Sequence, residues 1–89
     1  MPTRDVTIVN KLGLHARAAA KLVTLASGFA SDIQLARNGQ QVNGKSIMGV
    51  MMLAAARGSQ ITIIADGPDE NEALERLERL IQERFGEAE

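Results

Sequence analysis

Residues 32–42 read DIQLARNGQQV, and the fold turns on how this stretch is read. Asp32 to Ala36 and Gln40 to Val42 are strand-like runs, and an Asn-Gly pair between two such runs is a strong short-range hairpin signal. A β-hairpin closing at Arg37, Asn38 and Gly39 is therefore expected. Working upstream, Asp5 to Val9 (DVTIV) alternates Val6 and Ile8 against Thr7, as a half-buried strand does. From Ala16 to Ala26 the sequence ARAAAKLVTLA is rich in strong helix formers. Ala19, Leu22, Val23 and Ala26 recur there at one-face helical spacing, and Gly28 follows as a C-cap. Working downstream, Ser46 precedes IMGVMMLAAA, a short apolar helix expected to be interrupted at Gly49 and closed near Gly58. Ile61 to Ala65 (ITIIA) is the most strand-like run in the chain. Gly67 and Pro68 break it, and Asp69 with Glu72 three residues later resembles a capping box opening a last helix. Ala73, Leu77, Leu80 and Arg84, with Leu74 and Ile81, give that helix one apolar stripe and one charged face.

The order β-α-β-β-α-β-α implies an α+β domain of two layers, with helices covering one face of a mainly antiparallel sheet. No linker, repeat or low-complexity stretch divides residues 1–89, so a single domain is expected. Hydrophobic residues make up 45% of the chain, but Phe29 and Phe85 are its only aromatics, so Leu, Ile, Val, Met and Ala must build the core. A formal net charge of −1, with cations spread along the chain, argues against a phosphate-tracking nucleic-acid surface, as does the lack of stacking aromatics. Without cysteine there is no disulfide framework, and one histidine alone does not make a zinc site, so neither metal nor cofactor is expected. The opening MPTRDVTIVN lacks a basic-then-apolar leader, and no apolar run approaches the roughly 20 residues that span a bilayer. Membrane insertion is thus not expected, and the expected compartment is the cytoplasm.

The chemistry gathers at His15, in NKLGLHARAAAK, between a turn-forming Gly13 and the start of the first helix. No Ser, Thr, Asp or Asn stands at the capping position, so the first-turn amides need another acceptor. A bound or covalent phosphate would supply it, because a helix N-terminus carries partial positive charge and Arg17 adds charge-assisted hydrogen bonds. The same field favours neutral imidazole, which leaves one ring nitrogen free as a nucleophile. The bland alternatives are that the ring itself caps the helix, or that His15 is an ordinary loop residue.

The segments GLHARAAAKLV, NGKSIMGVMMLAAARG and GPDENEALERLERLI together resemble the HPr family, histidine-containing phosphocarriers of the bacterial phosphoenolpyruvate-dependent phosphotransferase system. The resemblance covers nearly the whole chain. It implies an open-faced sandwich of four antiparallel strands and three helices. It also implies a carrier that depends on partner enzymes and is not itself an enzyme. By resemblance, His15 takes a phosphoryl group on Nδ1 from phosphorylated enzyme I and passes it to a IIA protein or domain. Arg17 is the phosphate-contacting arginine, with the backbone of Ala16 and Arg17 beside it. Ser46, which the sequence alone marks as a helix N-cap, is in many members phosphorylated by HPr kinase/phosphorylase. Ile47, Met48 and Met51 would join Ala16, Arg17 and Ala20 in the docking patch of a monomer.

Two departures touch this assignment. Ala18 stands where the family usually has proline, which implies a slightly looser helix start. Thr24 and Ser27 lack the lysines of some sugar-system members, which leaves the partner open, and NKLGLHAR with the Met-rich second helix also resembles the nitrogen-related branch, NPr, which is an alternative. A further alternative is a regulatory module in which Ser46 matters and His15 is idle.

One motif points elsewhere. Gly39 to Ser46, GQQVNGKS, matches the phosphate-binding loop pattern of nucleotide hydrolases, with Lys45 and Ser46 in the phosphate and Mg²⁺ positions and ITIIAD as a candidate metal-binding strand. Its surroundings argue against a nucleotide site, because Asn38-Gly39 is better used as a hairpin turn and the chain is short for a doubly wound sheet. Ile47, Met48, Met51 and Met52 are too many apolar side chains for one short helix to bury, so some are expected at the surface, with Met52 in the core. Exposed methionines suit a surface that meets several partners.

Overall fold

The computed structural model describes residues 2–89. In chain order the elements are β1 (Thr3–Thr7), α1 (Ala16–Ser27), β2 (Asp32–Arg37), β3 (Gln40–Asn43), α2 (Ile47–Met52), β4 (Gln60–Asp66) and α3 (Glu70–Gln82). A 3-10 turn at Arg84–Gly86 follows.

The hairpin forms as read. Arg37 pairs with Gln40, and Asn38 and Gly39 between them both have positive φ, at 51° and 82°. That is the two-residue turn whose twist matches its strands. The four strands lie in the order β1-β4-β2-β3, and every neighbouring pair is antiparallel. β4 is therefore central, inserted between β1 and β2. Two antiparallel steps make β1 and β2 run in the same direction, and likewise β3 and β4, so α1 and α2 each serve as a crossover between parallel strands. On one face Val6, Ile33, Leu35, Ile61, Ile63 and Ala65 are buried under α1 and α3. The other face is open, and there Thr62 donates to Asp5 at 2.7 Å. This is the open-faced α+β sandwich that the element order implied.

Beyond shifts of one residue, three boundaries before the end of α3 differ from the sequence reading, each for a tertiary reason. β1 runs from Thr3 to Thr7 because its register with β4 ends at Gln60, and Ile8 then bonds to Ser59 and Gly58 beyond β4. The apolar helix after Ser46 stops at Met52 and is not broken at Gly49, whose N–H is held by the Ser46 hydroxyl. It stops because Ala54 turns left-handed, at φ 51°, and the Ala55 carbonyl is taken by the N–H of Leu14. Arg37 also closes the Leu53 carbonyl at 3.1 Å. The third difference is the start of α3. Asp69 makes no cap; its carboxylate accepts from Ser31 and from the Ala30 N–H, while Glu70 receives the N–H of Gly67. Glu72 pairs instead with Arg76 along the exposed face.

Past α3, Arg84 and Phe85 both adopt left-handed backbone, at φ 59° and 55°, so Arg84 leaves the helical stripe assigned to it. Left-handed backbone costs a non-glycine residue about 1–2 kcal/mol. Phe85 offsets this by burying its ring almost completely, a gain of roughly 1.5–3 kcal/mol. Lys21 on α1 donates to the Phe85 carbonyl at 2.6 Å and fixes the turn from the other side. Phe85→Ala is expected to lower unfolding stability by roughly 3–5 kcal/mol, read by urea denaturation.

Candidate functional site

The site begins with a glycine. Gly13 has φ 67°, and a Cβ there would fall 2.6 Å from the Ala55 carbonyl oxygen and 2.9 Å from the Cα of Ala56. Only glycine allows that approach, and it lets the Leu14 N–H reach the Ala55 carbonyl at 2.9 Å. Leu14 is buried, and the next residue, His15, has extended backbone at the threshold of α1. The first helical bond runs from Ala19 N–H to the His15 carbonyl, so the amides of Ala16, Arg17 and Ala18 have no acceptor within the helix. No side chain caps them, and no acidic residue lies in the first turn. The positive end of α1 is left open.

His15 does not cap its helix. Its ring turns the other way, and Nε2 meets a carboxylate oxygen of Glu87 in a very short contact. The ring stays 27% exposed, at a shallow depression that Arg17, Lys11 and Leu12 also line. Glu87 is itself held. Its second oxygen accepts from the Asn10 amide at 3.0 Å. That hydrogen bond, followed by the hydrogen bond and charge of His15, holds the Glu87 carboxyl below its ordinary value of 4.5 against partial desolvation. An ionised carboxylate only accepts, so Nε2 is the donor in this contact, and Nδ1 is the ring nitrogen left outside it.

Around this centre, Ala16 and Arg17 are exposed and Ala20 is half-buried. The six-residue α2 buries only Val50 within its span. Ile47, Met48 and Met51, the three the family resemblance put in the docking patch, are exposed, and Met48 reaches 77%. Met52 is not in the core as expected but 64% exposed, because α2 ends there and Leu53 takes the buried position. Leu12, which no sequence signal marked, adds a further apolar side chain at 67% exposure. Ser46 caps α2, its hydroxyl accepting from the Gly49 N–H at 3.1 Å. The phosphate-loop pattern is spent on other work: Gln40 to Asn43 form the edge strand, and the Lys45 ammonium donates to the Phe29 carbonyl at 2.9 Å. Among the described residues, no three His, Cys, Asp or Glu side chains gather as a metal site would require, and no helix is long and apolar enough to cross a membrane.

Residues 2–83 match the family described as the PTS HPr component phosphorylation site. The chain belongs to the HPr family. It is 62% identical to phosphocarrier protein HPr of Cupriavidus necator over 89 residues, covering all of both chains. Phosphocarrier protein HPr of Neisseria meningitidis serogroup B is 52% identical, again over the full length of both. The crystal structure of HPr-C-His from Thermoanaerobacter tengcongensis superposes with a TM-score of 0.96 at 44% identity, covering all of both chains. Family, relatives and fold agree on a phosphocarrier of the phosphotransferase system.

Asn10 and Glu87 were the residues that sequence reading missed. Asn10 opens the NKLGLHAR stretch but nothing in it marks the asparagine as buried, and Glu87 lies 72 residues from the histidine it touches. The lowered Glu87 value fixes the sign of one pH effect. A carboxyl held below its ordinary value stabilises the fold above about pH 4.5, and that stabilisation is lost as pH falls through the lowered value. Glu87→Gln is therefore expected to remove part of the loss of stability below pH 4.5 while lowering stability at neutral pH, read from urea midpoints across pH. Asp69, lowered chiefly by the Ser31 hydroxyl, acts with the same sign in both proteins and leaves the difference unaffected.

Proposed function

We propose that the protein is a one-domain, monomeric phosphoryl carrier in which His15 accepts the phosphoryl group on Nδ1 from phosphorylated enzyme I and delivers it to a IIA protein or domain. The observation that carries this reading is that Nε2 of His15 is engaged by Glu87 while the ring stands at an uncapped helix N-terminus beside Arg17. The lone pair of Nδ1 forms the new bond to phosphorus as the bond to the donor breaks, and the donor atom leaves with that electron pair. With Nε2 still protonated, the phosphorylated ring is cationic, and the Glu87 carboxylate faces that charge. The phosphoryl oxygens gain the open amides of Ala16 and Arg17 and the Arg17 guanidinium. Delivery to the acceptor is the same step in reverse. Such a carrier must not hold its cargo too tightly, and these groups are exposed donors in water, not a sealed anion site. The partners supply most of the catalysis, so the protein is a carrier and not an enzyme.

Docking falls to Ala16, Arg17, Ala20, Ile47, Met48 and Met51, which combine exposed apolar side chains with one cation on neighbouring helices. Ser46 is the regulatory position. A phosphate there would add nearly two negative charges at the start of α2, beside Ile47, and so weaken docking of acidic partners. The sugar and nitrogen branches share this chemistry, and binding to the IIA proteins of each separates them.

Incubation with phosphoenolpyruvate and enzyme I is expected to add one acid-labile phosphate per chain, and His15→Ala to take none. Labelling of that variant would overturn the assignment. Arg17→Ala is expected to slow transfer roughly ten- to a hundredfold, the scale of losing one hydrogen bond to a charged group. Ser46→Asp should raise the enzyme I concentration needed for half-maximal rate while His15 remains able to take phosphate.

A further inference from the structure

Asn10 is one of two polar residues in the buried set, and its side chain is fully enclosed. Its amide nitrogen donates twice, to the Gly13 carbonyl at 2.8 Å and to Oε1 of Glu87 at 3.0 Å. These two acceptors settle the orientation of the amide, because turning it over would set oxygen against oxygen twice. The cost is visible, since the buried Oδ1 has no partner. A leucine would fill the same space without the orphaned Oδ1, at the cost of leaving the Gly13 carbonyl without its donor. What asparagine adds is a neutral donor to Glu87, whose other oxygen meets Nε2 of His15.

We propose that Asn10 is a positioning residue for phosphoryl transfer, which acts through Glu87 to hold the His15 ring with its Nε2 proton fixed and Nδ1 presented to the donor. This rests on His15 being the phosphoryl acceptor. Three features of the geometry support it. Glu87 lies beyond the matched residues 2–83, in a short run after the Phe85 turn, and a free glutamate there would sample many rotamers. A donor on Oε1 selects the one that points Oε2 at the ring. The donor is neutral, so the carboxylate keeps its full charge for His15; a lysine or arginine in its place would compete with the ring. The same amide also holds the carbonyl of Gly13, two residues before His15, so one buried group sets both the backbone leading to the ring and the ring's partner.

The test compares wild type, Asn10→Leu, Glu87→Gln and the double variant, each incubated with enzyme I and phosphoenolpyruvate. Asn10→Leu is expected to lower kcat about tenfold, the loss of one charge-assisted hydrogen bond, with KM for enzyme I within about twofold. The double variant should be no slower than the slower single one, because both substitutions break one chain of contacts. Nitrogen NMR of the His15 ring gives a readout that simple destabilisation would not move. Wild type should show a slowly exchanging Nε2–H, and Asn10→Leu should lose it while the remaining spectrum stays folded. Asn10→Ser serves the same comparison where the leucine variant does not fold. Wild-type kcat together with an intact Nε2–H signal in the Asn10 variant would overturn the proposal, as would a change confined to KM. Absence of label on wild-type His15 would instead sink the acceptor assignment, and the NMR comparison would still decide whether Asn10 orients the ring.

Discussion

Where Gly13 passes Ala55 and Ala56, two backbone segments approach closer than any Cβ would allow, and much of the molecule is arranged by that contact. It gives the Leu14 N–H its acceptor, and so fixes the residue after it, His15, at the start of α1. It takes the Ala55 carbonyl out of any helix, and so ends α2 at Met52. One contact between loops thus sets the start of one helix and the end of another. A histidine at an open helix end and a short helix with exposed methionines are both consequences of it.

The electrostatics of the site follow a division of labour between local and distant groups. The amides of α1 and Arg17 offer positive charge, and they are local, contributed within two residues of the histidine. The negative partner of the imidazole is remote. Glu87 reaches the ring because Phe85 is buried and Lys21 holds the Phe85 carbonyl, which turns the last residues back across the start of α1. The left-handed backbone at Arg84 and Phe85 is tolerated because aromatic burial outweighs it. A hydrophobic side chain far from the imidazole in sequence therefore delivers the carboxylate that meets it.

The lysine and serine of the GQQVNGKS stretch show how a short motif is decided by its setting. The same residues that would cradle a nucleotide phosphate between a buried strand and a long helix here make an edge strand, a side-chain tie to Phe29 and the cap of a six-residue helix. Backbone geometry, not residue type, separates the two uses.

Local signals carried most of the architecture. The Asn38-Gly39 turn, the one-face spacing of α1 and α3, the alternation in β4 and the Ser46 cap each arise from interactions within a few residues, so the sequence alone determined them. It also marked His15 and Arg17, because an uncapped helix start is legible locally, and the resemblance to a phosphocarrier family rested on the same segments. Where competition between distant groups decided, the sequence was silent or misleading. Glu72 lost its capping role because Ser31 claimed Asp69 from 38 residues away, and Met52 lost the core to Leu53 because Ala54 and Ala55 ended the helix. Asn10 and Glu87 came together only through the Phe85 turn, across 77 residues of chain. Periodicity and capping are written in neighbouring residues; which buried amide meets which carboxylate is settled by the packing of the whole core, and only the tertiary structure decided it.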